Sequence, residues 1–154
     1  MVSVGKRVKN FTLPATGDQE LSLADFEGRK LIIYFYPKDN TPGCTREGQD
    51  FRDLYPQFVA AGADIVGVSR DTVRTHENFK TKHEFPFHLL SDKEETLCKQ
   101  FDVIKEKKLY GRTYMGIERS TFLIGPDGVL LEEWRKVKVP DHAEAVLDAV
   151  KDRS

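Results

Sequence analysis

Of the two cysteines in this chain, Cys44 stands where a thiol can react. It closes the segment Pro37-Lys38-Asp39-Asn40-Thr41-Pro42-Gly43-Cys44, which follows the apolar run Leu31-Ile32-Ile33-Tyr34-Phe35-Tyr36 and precedes a helical pattern. The sulphur therefore sits where a strand ends and a helix begins. Amides in a first helical turn have no intrahelical acceptor, and the peptide dipoles there favour negative charge. A thiolate is a negative charge, so the position suits nucleophilic or redox work. Thr41, three residues earlier, adds a hydroxyl that can accept from or donate to a bound oxygen.

A cysteine can attack a carbonyl, a disulfide, a metal or a peroxide. Hydrolysis would call for a histidine with an orienting Asn or Asp, and no spacing ties His76, His83, His88 or His142 to Cys44. These four read as surface or structural residues. Neither a Cys-x-x-Cys nor a His-x-x-x-His spacing occurs, so no metal or cofactor is expected. A dithiol enzyme needs a second thiol nearby, and the stretch from Gly43 to Gln49 holds none. A lone thiolate can still attack the O–O bond of a peroxide, leaving a sulfenic acid and releasing water or an alcohol. Two rivals stay open on these residues: a thioredoxin-like redox adaptor, and a non-enzymatic binding domain in which Cys44 is structural.

The elements around Cys44 must hold the sulphur, the peroxide and a cation in register. Phe11 to Pro14 and Glu20 to Leu23 read as short edge strands about a Gly17-Asp18 turn, and Pro14 suits only an edge or a strand end. Leu31 to Tyr36 reads as a buried central strand, because its apolar residues run without alternation. Thr41 is placed to cap the following helix, with Pro42 in its first position. Phe51, Leu54, Tyr55 and Phe58 form its apolar stripe, while Pro56 predicts a kink or an early stop before Ala60-Ala61-Gly62-Ala63.

Downstream, Asp64 to Ser69 is a strand, Asp71 to Lys82 a helix, Phe87 to Leu90 a short strand and Lys93 to Phe101 a helix. Lys105 to Gly116 reads as a solvated polar loop, with a place at the pocket rim or against a reductant as the alternative. Ser120 to Ile124 and Val129 to Trp134 flank a Gly125-Pro126-Asp127-Gly128 turn, and Asp141 to Lys151 is a terminal helix. This order describes an α/β protein with a mixed central β-sheet, helices on both faces and a short N-terminal β-hairpin. A thioredoxin-like fold fits it.

At 154 residues the chain is expected to be one domain, 1–154, with its own core and no need of disulfide staples. The formal net charge of -1 supplies no field to gather nucleic acid or an anionic membrane, so neither partner is expected. No stretch approaches the ~18 apolar residues of a membrane span, and the start lacks the apolar core of a signal peptide. Cytoplasmic localisation is the expectation.

On its motifs the chain resembles the peroxiredoxins. Pro37-x-x-x-Thr41-x-x-Cys44 matches that family's active-site motif at all three fixed positions. Phe35 to Thr45, with Glu47 and Phe51-Arg52-Asp53, is similar to the subgroup known as peroxiredoxin Q or bacterioferritin comigratory protein. Ile117 to Ile124 resembles the family's second signature, whose arginine lies beside the reactive sulphur. The likeness runs from about Gly5 to Val150. It implies that Cys44 is the peroxidatic nucleophile and that Thr41 positions the peroxide and contacts the sulphur. It further implies that Pro37 shields the pocket and sets the loop's path, and that Arg119 stabilises thiolate and peroxide oxygens. Glu47 would hold Arg119, or serve only the helix's first turn.

The chain departs from common relatives in its second cysteine. Their resolving cysteine lies five positions after the peroxidatic one, where this chain has Gln49, or in the next helix, which has none here. The remaining candidate, Cys98, shares a stripe with Leu97 and Phe101 and suits a core position. A one-cysteine mechanism is therefore expected, with thioredoxin, glutaredoxin or a low-molecular-weight thiol as reductant. A Cys44–Cys98 disulfide is the alternative. The resemblance also implies a monomer.

Overall fold

The computed structural model describes residues 1–153. The site hangs from β3 (Lys30–Phe35), whose apolar run is continuous because both its faces are covered. Leu31, Ile33 and Phe35 enter one core layer, and Ile32, Tyr34 and the following Tyr36 enter the other. Beside β3, in parallel, run β4 (Ala63–Ser69) and then β5 (His88–Ser91). On its other side β8 (Ser120–Ile124) pairs antiparallel with β3, and β9 (Leu130–Trp134) antiparallel with β8. The N-terminal hairpin, β1 (Thr12–Ala15) and β2 (Gln19–Ser22), completes a seven-stranded mixed sheet in the order β2-β1-β5-β4-β3-β8-β9. Pro14 is tolerated because β1 meets β5 only at Ala15, opposite Leu90.

Helices cover both faces, as the sequence predicts. α1 (Pro42–Ala60), α2 (Val73–His83) and α4 (His142–Lys151) pack Phe51, Phe58, Phe79, Val146 and Val150 into one layer, which also holds Cys44. On the opposite face, α3 (Thr96–Gln100) contributes Leu97 and Cys98 to a layer with Phe35, Phe101 and Val103. The sheet thus separates the two cysteines.

Four local expectations are corrected. α1 passes through Pro56 without stopping. Pro56 is on the exposed face, so the carbonyl its ring deprives of a partner meets water, while the fully buried Phe51 and Phe58 hold the helix on the sheet. The helix expected from Lys93 begins only at Thr96, because the Asp92 carboxylate accepts from the Leu97 and Cys98 amides and fixes the start there. Thr41 occupies the N-cap position in extended backbone (φ -83, ψ 152), yet its side chain makes no cap hydrogen bond. Finally, the stretch read as a loop from Lys105 to Gly116 is a β-hairpin, β6 (Ile104–Leu109) with β7 (Arg112–Ile117). Tyr110 and Gly111 both have positive φ (51 and 76), the requirement of a two-residue type I′ turn.

Candidate active site

The loop from Tyr36 to Thr41 turns through Asn40, whose φ of 65 is left-handed, and delivers Pro42 as the first helical residue. Cys44 follows within the first turn and is 2% exposed. The first intrahelical bond runs from Thr45 N to Thr41 O, so the amides of Gly43 and Cys44 precede the ladder. Arg119 arrives from the other side of β3. Ser120 pairs with Phe35, which sets Arg119 beside the strand end where the loop departs.

The guanidinium divides its donors. Nη2 donates toward Cys44 Sγ at 3.4 Å, and Nη1 donates to Glu47 Oε1 at 2.6 Å. Gly43 makes this approach possible, since a Cβ there would lie 3.2 Å from Nη2. The planar fork suits two separate acceptors in a way that a single ammonium cannot. Cation and helix start together present donors to an oxygen bound at the sulphur.

Glu47 lies one turn beyond Cys44 and is buried. Its Oε2 and the Tyr34 hydroxyl are the buried side-chain atoms without a partner among the described residues. Burial pushes the Glu47 carboxyl up to about 7, against the pull of Arg119. Its folded pKa thus lies above the ordinary glutamate value of 4.5. The stability this group contributes is complete below that value and is lost as pH rises through about 7. Glu47→Gln stays neutral throughout, so it is expected to gain about 1–3 kcal/mol on the unmodified protein between pH ~5 and ~8. Thermal melts at the two pH values check this, and a gap that fails to widen with pH contradicts it.

A buried network anchors the loop that carries Thr41. Tyr36 Oη donates to Asp39 Oδ1 at 2.6 Å, and the Asp39 amide donates to Asp71 Oδ2 at 2.9 Å. His76 Nε2 donates to the Leu90 carbonyl at 2.9 Å, and its Nδ1 shares a hydrogen with Asp39 Oδ2 at 2.6 Å. The Asp39, Asp71 and His76 ligand atoms lie within 4.8 Å of one another, but they are already engaged in these hydrogen bonds. Asp39→Ala strands the Tyr36 hydroxyl and His76 inside the protein, and should cost about 3 kcal/mol of stability, measured by urea unfolding. A loss under ~0.5 kcal/mol would contradict this account of the anchor.

Of the residues singled out in the sequence, Cys44, Arg119 and Glu47 come together, with Thr41 and Pro37 on the adjoining loop. Thr41 is placed differently from expectation: its hydroxyl donates to the Lys38 carbonyl at 2.9 Å, and it makes no hydrogen bond with the sulphur. With its proton so engaged, the oxygen offers a ligand its lone pairs. Pro37 is half-buried at the exit of β3. Cys98 lies across the sheet, fully buried, and burial followed by the nearby Asp92 pushes its thiol well up. None of the four histidines bonds Cys44; His142, held down to about 4 by burial and Arg119, pairs with Thr121 Oγ1 at 2.8 Å. The Asp39–His76 anchor was missed in the sequence. Only the i, i+3 spacing of His76 with Phe79, which puts His76 on the buried face of α2, could have signalled half of it.

Residues 4–132 match the model of the AhpC/TSA family. The chain is 56% identical over 143 residues to Peroxiredoxin Bcp of Xanthomonas campestris pv. campestris, covering 92% of this chain and 89% of that protein. It is 48% identical over 153 residues to Peroxiredoxin Bcp of Bacillus subtilis, covering 99% and 98%. Among solved structures, a cysteine-to-serine mutant of Xylella fastidiosa PrxQ superposes with a TM-score of 0.95 at 47% identity, covering 99% and 98%. A structure of Xanthomonas campestris bacterioferritin comigratory protein, from work on its alkyl peroxide reduction activity, gives 0.89 at 54% identity, covering 93% and 91%.

Proposed function

This chain belongs to the AhpC/TSA family, among the peroxiredoxins of the Bcp and Q kind, and on that premise we propose that Cys44 is the sulphur with which it reduces peroxides. The protein is a thiol-dependent peroxidase. The observation that carries the assignment to Cys44 is the Arg119 Nη2 contact at 3.4 Å, made at a helix start with Glu47 holding the other amine.

The Cys44 thiolate attacks the terminal oxygen of a hydroperoxide in line with the O–O bond. That bond breaks, the sulphur becomes a sulfenic acid, and the departing oxygen leaves as hydroxide or alkoxide and takes up a proton. Thr41 Oγ1 accepts from the peroxide O–H and so orients it. Arg119 and the Gly43 and Cys44 amides face the oxygens on which charge develops. Pro37 sets the course of the loop and keeps water from its inner side. Hydrogen peroxide and organic hydroperoxides share the reacting bond, and both are substrates in this reading.

The second half-reaction is assigned to an external thiol. Cys98 is in the opposite core layer from Cys44, so a disulfide between them would require part of the sheet to open. An external thiol instead attacks the sulfenic sulphur and releases water, and a second thiol then frees Cys44 and leaves as the disulfide. Thioredoxin, glutaredoxin or a small thiol can serve. The cytoplasm, where such thiols stay reduced, suits this cycle, and no helix among the described residues is long and apolar enough to cross a membrane.

The test is steady-state peroxide consumption by Cys98→Ser with dithiothreitol or thioredoxin as reductant. Turnover within about twofold of the unmodified protein is expected, since Cys98 acts as a core residue. Loss of turnover with the fold intact would instead make Cys98 the resolving thiol.

A further inference from the structure

The β6–β7 hairpin stands outside the main sheet as a two-stranded ribbon. Its surface differs from the rest of the molecule. Leu109 (55% exposed), Tyr110 (95%), Tyr114 (45%) and Met115 (55%) are four of the seven exposed large apolar side chains among the described residues. The ribbon also carries Lys105, Lys107, Lys108 and Arg112 against the single acid Glu106, in a chain whose net charge is -1. Lys105 is tied to Asp102 at 3.0 Å, while Lys107, Lys108 and Arg112 form no ion pair among the described residues.

The register shows which face matters. Lys107 pairs with Tyr114 and Leu109 with Arg112, so these four side chains share one face. The ribbon leads into the site: β7 ends at Ile117, two residues before Arg119, whose Nη2 stands 3.4 Å from Cys44 Sγ, and burial and then the Arg119 charge draw the Lys107 ammonium pKa down. Gly116 is on the same face and leaves room for its neighbours to lie across the ribbon's base. A Cβ there would meet the Tyr114 ring at 3.2 Å and the Lys107 stem at 3.3 Å. Arg70, paired with Glu95 at 2.9 Å, donates to the Met115 carbonyl at 3.4 Å and holds the ribbon to the body.

Cys44 is 2% exposed, and in the one-cysteine reading, on which this inference rests, a thiol from outside must be brought to it. We propose that the β6–β7 ribbon is the docking surface for the reductant, a dithiol protein whose reactive cysteine lies in an apolar face bordered by carboxylates. Tyr110, Tyr114 and Leu109 supply the apolar contact, and Lys107 and Arg112 supply the attraction. Peroxide is small and uncharged, and its approach to the pocket needs none of these contacts.

The test compares two variants, Arg112→Glu and Tyr110→Ser with Tyr114→Ser, against the unmodified protein. Turnover is measured with thioredoxin or glutaredoxin, each kept reduced by its own recycling system, and separately with dithiothreitol. Peroxide oxidation of Cys44 is followed by stopped flow. Each variant should lower kcat/KM for the protein reductant about tenfold or more, with the dithiothreitol and peroxide rates within about twofold. The protein-reductant rate of the unmodified chain should also fall with added salt, and that of the charge reversal should not.

Unchanged protein-reductant rates would overturn the proposal. So would turnover of the unmodified protein by dithiothreitol but by neither protein reductant, or a ribbon-dependent dimer seen by sedimentation. A loss confined to organic hydroperoxides would make the ribbon a contact for the substrate's tail, and overturn it too. The one-cysteine reading fails by a different sign, a mapped Cys44–Cys98 disulfide, and the ratio of protein-reductant to dithiothreitol rates decides the docking in either case.

Discussion

Replacing Cys44 by serine is expected to reduce peroxide consumption to the uncatalysed background, a loss of at least ~10³-fold, while the fold is kept. A serine hydroxyl is not ionised at neutral pH and does not open an O–O bond, so neither Arg119 nor the helix start can rescue it. The site tolerates the change structurally. Serine differs by one small atom, and position 44 lies in the first turn of a helix, where a hydroxyl finds amide donors. Consumption of hydrogen peroxide with dithiothreitol as reductant, read beside a thermal melt, checks both halves. Residual turnover above ~10% in Cys44→Ser would move the chemistry to another residue.

Arg119→Leu is expected to slow the reaction of Cys44 with hydrogen peroxide by about 10²–10³-fold, the range for removing one preorganised charge donor from a reacting site. Three local consequences support a kinetic effect without collapse of the fold. The sulphur loses the cation 3.4 Å away, the peroxide oxygens lose their charged donor, and Glu47 loses the guanidinium bonded at 2.6 Å. Burial already raises the Glu47 carboxyl to about 7, so without Arg119 it takes up a proton instead of remaining a buried charge. Arg119→Lys should recover only part of the rate, because one ammonium cannot hold Glu47 and face Cys44 at once. Second-order rate constants from stopped flow, following Trp134, rank the three proteins. Equal rates in Arg119→Leu and the unmodified chain would make Arg119 a structural ion-pair partner only.

Cys44 was legible in the sequence because a continuous apolar strand, a Thr-Pro start and a helical stripe all converge on it. The mixed sheet with helices on both faces followed from the same alternation of elements. Arg119 was legible only through resemblance. It is brought to Cys44 by the pairing of β8 with β3, a contact between distant parts of the chain that no local pattern encodes. The orientation of the Thr41 hydroxyl was hidden for a related reason. A capping threonine accepts from a first-turn amide through its oxygen, but here the Thr41 hydroxyl is turned to donate to the Lys38 carbonyl and makes no such bond.

The misread stretches have physical causes as well. Lys105 to Lys108 look like solvated loop because the ribbon they form has little core to face, so hydrophobic alternation is weak. The Tyr110-Gly111 pair was the available signal for its turn. Charge and propensity favour a helix around Cys98 from Lys93 onward, whereas the Asp92 carboxylate sets its start at Thr96 by accepting from two amides. Asp39 and His76 are far apart in sequence and belong to one hydrogen-bond network only once β3, β5 and α2 are assembled.

In the proposed cycle Cys44 alone carries the oxidised state. This is tested most directly by adding one equivalent of hydrogen peroxide to the fully reduced protein and taking the intact mass and the peptide map at once. A gain of one oxygen atom, mapped to Cys44, is expected, with the Cys98 thiol still free. A loss of two hydrogens with a mapped Cys44–Cys98 link, or no oxidation faster than that of a simple free thiol, would contradict it.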